Sequence, residues 1–561
     1  MKQQVSLFWL LRRVRRRIPV LVFMTAAIIG QTILGVAFAL GSRGVIDSAT
    51  SGNRADFWRA CLTQGTIILG IIFLMTLARH LKERVQADLD RDWKKDLLHG
   101  LLHGEYEAVA AFHSGELINR LNNDVRIVDD GLVSTIPGVA SMLTRLVAAM
   151  AVLMAMEPRL SLVVVVAGCF VVLATAVMRK GLKNMHKRVS ESEGKVSGFL
   201  QETLEMLLMV QAMDVAGEME RRAGVLLDNR YEIQRKRKNI SLLANTCVSL
   251  LSYSAGFAAL VWCSFGLLNG SMTFGTLTAV TQLVGQLQGP FVNLSGVIPQ
   301  YIAMTAAAER LMELEALSGE AESTQESAED LYGDMTALHA DGLDFSYDRD
   351  GILKDVCFTL PKGAFAVITG PSGVGKSTLL KLMLGIFTPE RGGMYLEREN
   401  GRMTLDRRTR KLFAYVPQGN LLLSGTLREN LTITRPDATE SEIRQAVYVA
   451  GMEDYLAQLP NGLETVLGEN SAGLSEGQAQ RLAIARAVLG GAPILLLDEI
   501  TSALDGETER LVLQRIRELP DRTCIAVTHR PAILELADWN LEVTGQGVRA
   551  KYLRDEENCR S

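Results

Sequence analysis

The sequence lacks a cysteine framework. Its seven cysteines, Cys61, Cys169, Cys247, Cys263, Cys357, Cys524 and Cys559, are scattered singly. None stands in a C-x-x-C pair or another metal-ligand spacing, which argues against both a disulfide scaffold and a cysteine metal site. Four lie in or near apolar stretches, where cysteine behaves as a small hydrophobe. Charge is missing where a water-soluble chain would need it. Mean hydropathy is +0.14, and nearly all of the apolar excess lies before residue 305. The net charge of −4 averages two unlike halves and says little about partners. No nucleic-acid partner is expected. The length of 561 residues suggests several domains.

Six apolar runs stand out, at about 18–41, 57–78, 133–156, 160–178, 242–268 and 276–304. Each can cross roughly 30 Å of hydrocarbon as a helix. A polar stripe, which a soluble core helix of this length would show, is almost absent from "VLVFMTAAIIGQTILGVAFAL". Five arginines, Arg12, Arg13, Arg15, Arg16 and Arg17, precede the first run, and "AFA" at 37–39 resembles a cleavage site. The run is longer than the ~7–15 residues of a signal-peptide core, so the arginines instead point to a cytoplasmic N-terminus. No peptidase-like segment precedes the first run, so processing of a leader peptide within this chain is not expected.

The outside connections are short: 42–56, "MEPRLS" and "NGSMTFG". The inside connections, 79–132 and 179–241, are long and contain no proline. Their helix-forming composition predicts that the membrane helices continue roughly 35–40 Å below the bilayer at 1.5 Å per residue. Two solvated hairpins or two motion-carrying levers would both satisfy that pattern. "LEMLLMVQAM" is too apolar to stay in water and favours docking. An acidic linker without aromatic residues follows at 318–330, and its composition predicts a loose segment. The expected organisation is a membrane domain over 1–317, a linker over 318–334 and an α/β domain over 335–561. Within the last, "AFAVITG", "LFAYVPQ", "PILLLDE" and "TCIAVTH" read as buried strands.

"GPSGVGKST" at 370–378 lies between a strand and an apolar helix pattern, the context a phosphate loop requires. Gly370, Pro371, Ser372, Gly373, Val374 and Gly375 would wrap phosphate oxygens with backbone N–H groups. Lys376 would reach the β- and γ-phosphates, Ser377 would hold Mg²⁺, and Thr378 completes the motif. "ILLLDE" ends a strand in two acids: Asp498 is suited to the Mg²⁺ shell and Glu499 to orienting and deprotonating a water.

On these motifs the second half resembles the nucleotide-binding domain of ATP-binding cassette (ABC) transporters. The whole chain resembles an exporter-type half-transporter: an all-α six-helix membrane domain with long cytoplasmic extensions, then an α/β phosphate-loop ATPase. The resemblance implies that Tyr347 stacks adenine and that Gln418 senses Mg²⁺ and contacts the membrane domain. Asp505 falls in "SALD", and His529 in "VTHR" falls at the γ-phosphate switch. Ser475, Gly477 and Gln478 lie in "LSEGQ", the signature that meets the ATP of a facing copy. "SGELINRLNNDV" at 114–125 and "LLMVQAM" at 207–213 fall near the two coupling helices, and "AAAERLMEL" at 306–314 matches the helix leaving the sixth span. ATP and Mg²⁺ are the implied cofactors. The implied partners are a second half-transporter chain, identical or not, membrane lipid and a cargo. A multi-pass bacterial cell-membrane protein with a cytoplasmic ATPase is the implied setting.

Arg145 lies near the middle of the third run and is a functional-site candidate by default. It could attract an anionic cargo group, or bond backbone carbonyls between helices. Gln282 and Gln286 share a face of the sixth run and could line the same cavity or simply pack helices. The cargo could be lipid, peptide or drug-like. An exporter, a lipid flippase and a cargo-free ATP-gated sensor remain distinct readings.

Two residues depart from the family pattern. Ser471 replaces a usual glycine beside "GE" at 468–469, and Glu476 replaces the first glycine of the signature. S-E-G-Q reads as a capping box with Ser475 as N-cap. Glu476 then occupies a first helical turn, where an acid is favourable. Glu476→Gly is expected to leave ATP turnover in place and to lower stability by about 0.3–1 kcal/mol. Turnover by the purified protein that appears only after this substitution would contradict the reading.

Overall fold

A computed structural model describes residues 2–317, 326–347, 350–399, 401–419, 422–468, 473–499, 504–528, 531–544 and 547–553. The chain forms two compact units. One comprises Met1–Leu102 with Phe112–Ser318, and the other His103–Ala111 with Gly319–Ser561.

The first unit is helical. A short α1 (Lys2–Arg13) and a turn of 3₁₀ helix lead into α2 (Ile18–Thr50) and α3 (Arg54–His103). The five-residue α4 (Tyr106–Ala110) belongs to the second unit. The chain returns through α5 (Ser114–Asn119), α6 (Val125–Asp130) and α7 (Ile136–Met156), with π-helical turns at Arg120–Asp124 and Gly131–Thr135. Then come α8 (Pro158–Glu205), α9 (Leu207–Ala212), α10 (Ala216–Leu268) and α11 (Phe274–Ala316). The six apolar runs thus fall in six long helices. Among the described residues, four helical stretches are long and apolar enough to cross a membrane: Arg15–Thr50, Arg54–His103, Ser114–Met156 and Ser249–Leu268. Pro158–Phe170 is a shorter apolar stretch. As the composition predicts, the helices do not stop at the end of their apolar runs: α3 is 50 residues long and α10 is 53. That is roughly 75–80 Å each.

The extension of α3 is not a solvated hairpin. Val85, Leu89, Trp93 and Leu97 repeat every fourth residue, so they share one face. They pack with Leu10, Val14, Val125, Val128, Met304 and Leu311 in a buried core. Asp88, Asp92 and Asp96 form a neighbouring stripe. Arg17 bridges Asp88 at 2.9 Å and Asp92 at 3.1 Å, and Arg13 bridges Asp96 at 2.7 Å. The end of α11 is tied in as well. The Arg310 guanidinium donates two hydrogen bonds to Asp124, at 2.7 and 2.6 Å. Arg120 donates to Glu116, to Glu313 and to the Arg310 carbonyl. A second apolar cluster joins Val36, Leu153, Leu160, Cys263, Leu283 and Leu287 from five of the long helices.

The second unit carries twelve strands among the described residues. β1 (Met335–Tyr347), β2 (Asp350–Pro361), β4 (Arg391–Arg398) and β5 (Gly401–Thr404) make an antiparallel sheet in the order β2-β1-β4-β5. The larger sheet contains β3 (Phe365–Thr369), β6 (Phe413–Val416), β9 (Ile494–Asp498), β10 (Thr523–Val527), β11 (Trp539–Thr544) and β12 (Gly547–Tyr552). Its order is β12-β11-β3-β10-β9-β6. The pairs β11–β3, β3–β10, β10–β9 and β9–β6 are parallel. β9 and β10 are buried along their whole length, as continuous apolar runs require when helices cover both faces. β7 (Gly425–Thr426) and β8 (Val466–Leu467) pair separately.

Besides α4, the α-helices of this unit among the described residues are α12 (Ala328–Gly333), α13 (Lys376–Met383), α14 (Leu427–Thr432), α15 (Glu440–Val449), α16 (Glu453–Gln458), α17 (Glu476–Leu489) and α18 (Gly506–Arg517). Reciprocal capping boxes start α14, α15 and α17, from "TLRE", "TESE" and "SEGQ". The acidic linker is only partly a linker. Residues 318–325 lie outside the described residues. Beyond them Ser327 caps α12, and Leu331 and Tyr332 are buried in the core of this unit. The composition of 318–330 hid that anchor because the two apolar side chains follow it.

The Asp124 side chain is 1% exposed and its partner Arg310 is 42% exposed. Asp124→Ala is expected to cost about 2 kcal/mol, less than the ~3–5 kcal/mol of a fully buried pair. A lowered melting temperature of the detergent-solubilised chain would report it; an unchanged one would exclude the pair as a determinant of this packing.

Candidate functional site

The site forms at the carboxyl ends of parallel strands, where open α/β sheets bind ligands. The loop Gly370–Gly375 leaves β3 and enters α13, whose first residue is Lys376. Two of its glycines are sterically required. Gly370 has φ +144°, and a Cβ there would lie 2.4 Å from the Val543 carbonyl oxygen of β11. Gly375 has φ +105°, and a Cβ there would lie 2.6 Å from Ile352. Pro371, Ser372 and Gly373 are exposed along the loop, Val374 is half-buried, and Thr378 is buried in α13. Lys376 is buried, and its ammonium donates to the Gly370 and Pro371 carbonyls at 3.1 and 2.9 Å.

β9 delivers two carboxylates. Asp498 is buried and accepts hydrogen bonds from Ser377 Oγ at 2.9 Å and from Tyr415 Oη at 3.1 Å. Burial holds its carboxyl above the ordinary aspartate range. The two hydrogen bonds pull in the other direction, and the charge of Glu499 pushes it further up. Folded Asp498 therefore keeps its proton to higher pH than unfolded aspartate. Its contribution to stability is largest in acid and is lost as pH rises through the folded value. Burial, then the Asp498 charge, raises the Tyr415 hydroxyl, which stays a proton donor.

Glu499 adopts φ +49°, a left-handed backbone rarely taken by a residue with a side chain. Its Oε2 accepts from Gln418 Nε2 at 2.8 Å, and its Oε1 lies 3.9 Å from Lys376 Nζ. The sheet order explains this meeting: Gln418 follows β6, which pairs directly with β9.

Tyr347 ends β1. Its hydroxyl lies 3.3 Å from Thr378 Oγ1, and its ring stands edge-on to Phe345 and Phe387 at centroid distances of 5.1 and 5.4 Å. Phe387 also meets Tyr106 of α4 at 5.9 Å. Tyr347 is itself exposed, so a flat ligand can reach it.

"LSEGQ" folds as its spacing predicts. Ser475 Oγ accepts from Gln478 N at 3.3 Å, and Gln478 Oε1 accepts from Ser475 N at 2.9 Å. Glu476 is exposed in the first turn of α17, and Gly477 follows it half-buried. Asp505 caps α18 by accepting from Thr508 N at 2.9 Å and Glu507 N at 3.2 Å. The Thr508 N–H is the main cause that lowers its carboxyl. His529, Ser471 and part of "SALD" lie outside the described residues.

The structure thus brings together Lys376, Ser377, Asp498, Glu499 and Gln418. Sequence reasoning missed Tyr415. The available signal was a tyrosine in a buried strand, whose hydroxyl needs a partner. In the first unit Arg145 is half-buried, with no hydrogen bond or ion pair among the described residues. Gln286 Nε2 donates to the Gly35 carbonyl of α2 at 2.9 Å, which makes it a packing contact. Gln282 Oε1 is buried with no hydrogen-bond partner among the described residues.

Known proteins share both units. Residues 21–291 match the family described as the ABC transporter transmembrane region, and residues 353–502 match that described as ABC transporter. An ATP-dependent lipid A-core flippase of Desulfotalea psychrophila is 28% identical over 81% of this chain and 80% of its own. The cyclolysin secretion/processing ATP-binding protein CyaB of Bordetella pertussis is 30% identical over 68% of this chain and 53% of its own. A solved bacterial Atm1-family ABC exporter with ATP bound shares the fold, with a TM-score of 0.79 at 23% identity over 98% of this chain and 97% of that one. The chain belongs to the ABC transporters, with the membrane region and the ATPase joined in one polypeptide.

Proposed function

We propose that this chain is one half of an ATP-driven exporter in a bacterial cell membrane. In this reading the membrane region spans 1–317 and the ATPase 335–561, with the connecting segment 318–334 anchored to the ATPase core through α12, and with the N-terminus and the ATPase in the cytoplasm. The observation that carries the proposal is the convergence of Lys376, Ser377, Asp498, Glu499 and Gln418 at one sheet edge, in a chain whose other unit holds membrane-length apolar helices.

The loop N–H groups and Lys376 bind the β- and γ-phosphates of ATP, Lys376 exchanging the Gly370 and Pro371 carbonyls for phosphate oxygens. Tyr347 stacks on adenine. Ser377, Asp498 and Gln418 form an oxygen donor set that suits Mg²⁺. The metal would supply charge neutralisation on the phosphates. Glu499, held by Gln418, takes a proton from the attacking water, and His529 contacts the γ-phosphate. Ser475, Gly477 and Gln478 face the ATP bound by a second copy, and Asp505 shapes that contact by capping α18. A second copy is supported by the apolar surface around α9, where Leu208 is 83% exposed and Leu204 and Met213 are also exposed. ATP drives the cycle by binding closed and open dimers unequally.

The cargo proposed is amphipathic and anionic, attracted by Arg145; Gln282, whose buried Oε1 has no hydrogen-bond partner among the described residues, is a further candidate contact. A lipid-like cargo is favoured over a peptide because the flippase relative matches along 80% of its length, against 53% for the cyclolysin relative.

In liposomes, Glu499→Gln is expected to retain ATP binding and lose turnover by about 10²–10⁴-fold. The same assay with and without lipid cargo separates transport from a cargo-free sensor, and Arg145→Ala should abolish stimulation by anionic cargo. Unchanged stimulation would remove Arg145 from the cargo path.

Asp498 must be ionised to hold a cation. The acid limb of Mg²⁺-dependent ATP binding is therefore expected above the ordinary aspartate range, and Tyr415→Phe should move it to higher pH. Titration of nucleotide binding against pH reads both shifts; identical limbs for the two proteins would exclude Tyr415 from this role.

A further inference from the structure

The arginines before α2 are not equivalent. Arg13 and Arg17 are held by carboxylates: Arg13 by Asp96 and by Glu315 at 2.9 Å, and Arg17 by Asp88 and Asp92. Arg13 also lies over the Trp93 ring, at 5.7 Å. These contacts fasten α1 to α3 and to the end of α11. Arg12, Arg15 and Arg16 are exposed and make no hydrogen bond or ion pair among the described residues. Lys95, exposed on α3, is likewise unpaired there. All four line a cavity of about 1030 Å³ between α1, the 3₁₀ turn, α3 and α11. Among the described residues six cationic side chains and three carboxylates line it, a net positive balance.

The apolar pattern of α1 points the same way. Leu10 and Val14 are buried against the helical core, with Trp9 packed on Trp93 at 5.2 Å. On the outward side Phe8 is 71% and Leu11 51% exposed. Phe8, Leu11 and Arg12 follow the i, i+3, i+4 spacing of one face of α1, and Arg15 opens the 3₁₀ turn that follows it. An exposed apolar pair continuous with free arginines is the composition of a helix lying in a bilayer interface. Its position agrees. Exposed Val22 and Phe23 of α2 follow Arg16 by six and seven residues, roughly 10 Å along a helix. That distance is within a Debye length and within the reach of a snorkelling guanidinium.

We propose that α1 and the following turn form a binding site for an anionic phospholipid of the cytoplasmic leaflet. Arg12, Arg15 and Arg16 receive the headgroup phosphate, Lys95 adds charge at the cavity wall, and Phe8 and Leu11 lie against the glycerol and upper acyl region. Arg13 and Arg17 hold the frame by their carboxylate bonds and are not ligands.

The test uses the full chain in a non-ionic detergent, with phosphatidylglycerol or phosphatidylcholine of equal chain length added, and counts retained lipids by native mass spectrometry. The wild type is expected to retain phosphatidylglycerol at least about tenfold more tightly than the R12Q/R15Q/R16Q variant, with phosphatidylcholine retained equally by both. Equal retention of phosphatidylglycerol by both proteins, as a second copy covering this face would give, overturns the proposal. So does full displacement of phosphatidylglycerol by equimolar inorganic phosphate, which would make the ligand a soluble anion. Should the triple variant misfold, Arg12→Glu alone must still weaken phosphatidylglycerol retention, and failure to do so also overturns it. ATPase activity measured in the same samples is expected to persist, which separates loss of this lipid from loss of the nucleotide site.

Discussion

Parallel pairing of β3, β10, β9 and β6 puts four distant chain segments on one edge, and the candidate site depends on it. The phosphate loop follows β3, Asp498 and Glu499 end β9, and Gln418 follows β6. Because all four strands run the same way, their carboxyl ends deliver loops to the same side. Without that register Ser377 and Asp498, 121 residues apart, would not share a hydrogen bond at 2.9 Å. The left-handed backbone of Glu499 is also sustained there, between Gln418 on one side and Lys376 on the other.

The helical unit answers to another constraint. Hydrocarbon offers no hydrogen-bond partners, so the backbone must satisfy itself and the apolar runs must be helices. Beyond the apolar runs the same helices need a different stabilising principle, and α3 shows it. Its apolar residues at every fourth position bury, while the adjacent aspartates take arginines from α1 and the 3₁₀ turn. The π-helical turn before α6 carries Arg120 and Asp124, which bond the end of α11. Extra residues in a turn shift the facing of side chains, and such turns recur at functional positions.

Much of this was legible in the residues. The phosphate loop, the four buried strands, the capping box of "LSEGQ" and the long proline-free helices follow from local spacing. Local interactions settle them: a Ser475–Gln478 box spans four residues and closes on itself. Other features resisted reading because their partners lie far along the chain. Composition alone left the 79–132 segment open between solvated hairpin and docked lever, although Val85, Leu89, Trp93 and Leu97 carried the period of a buried face. Tyr415 looked like one more strand residue until Asp498 stood beside it. Gln282 and Gln286 share a helix face, yet only Gln286 finds the Gly35 carbonyl.

The sequence by itself determined the class of chemistry and the membrane character, because both rest on short-range rules. Glycines permit a phosphate loop, acids end a buried strand, and uninterrupted apolar runs demand a bilayer. Tertiary structure decided which charged groups are frame and which are free. Arg13 and Arg17 differ from Arg12, Arg15 and Arg16 by no rule of composition. They differ because α1 and the 3₁₀ turn direct Arg13 and Arg17 onto the aspartates of α3 and leave Arg12, Arg15 and Arg16 exposed at the cavity, a division that exists only once these two elements are packed.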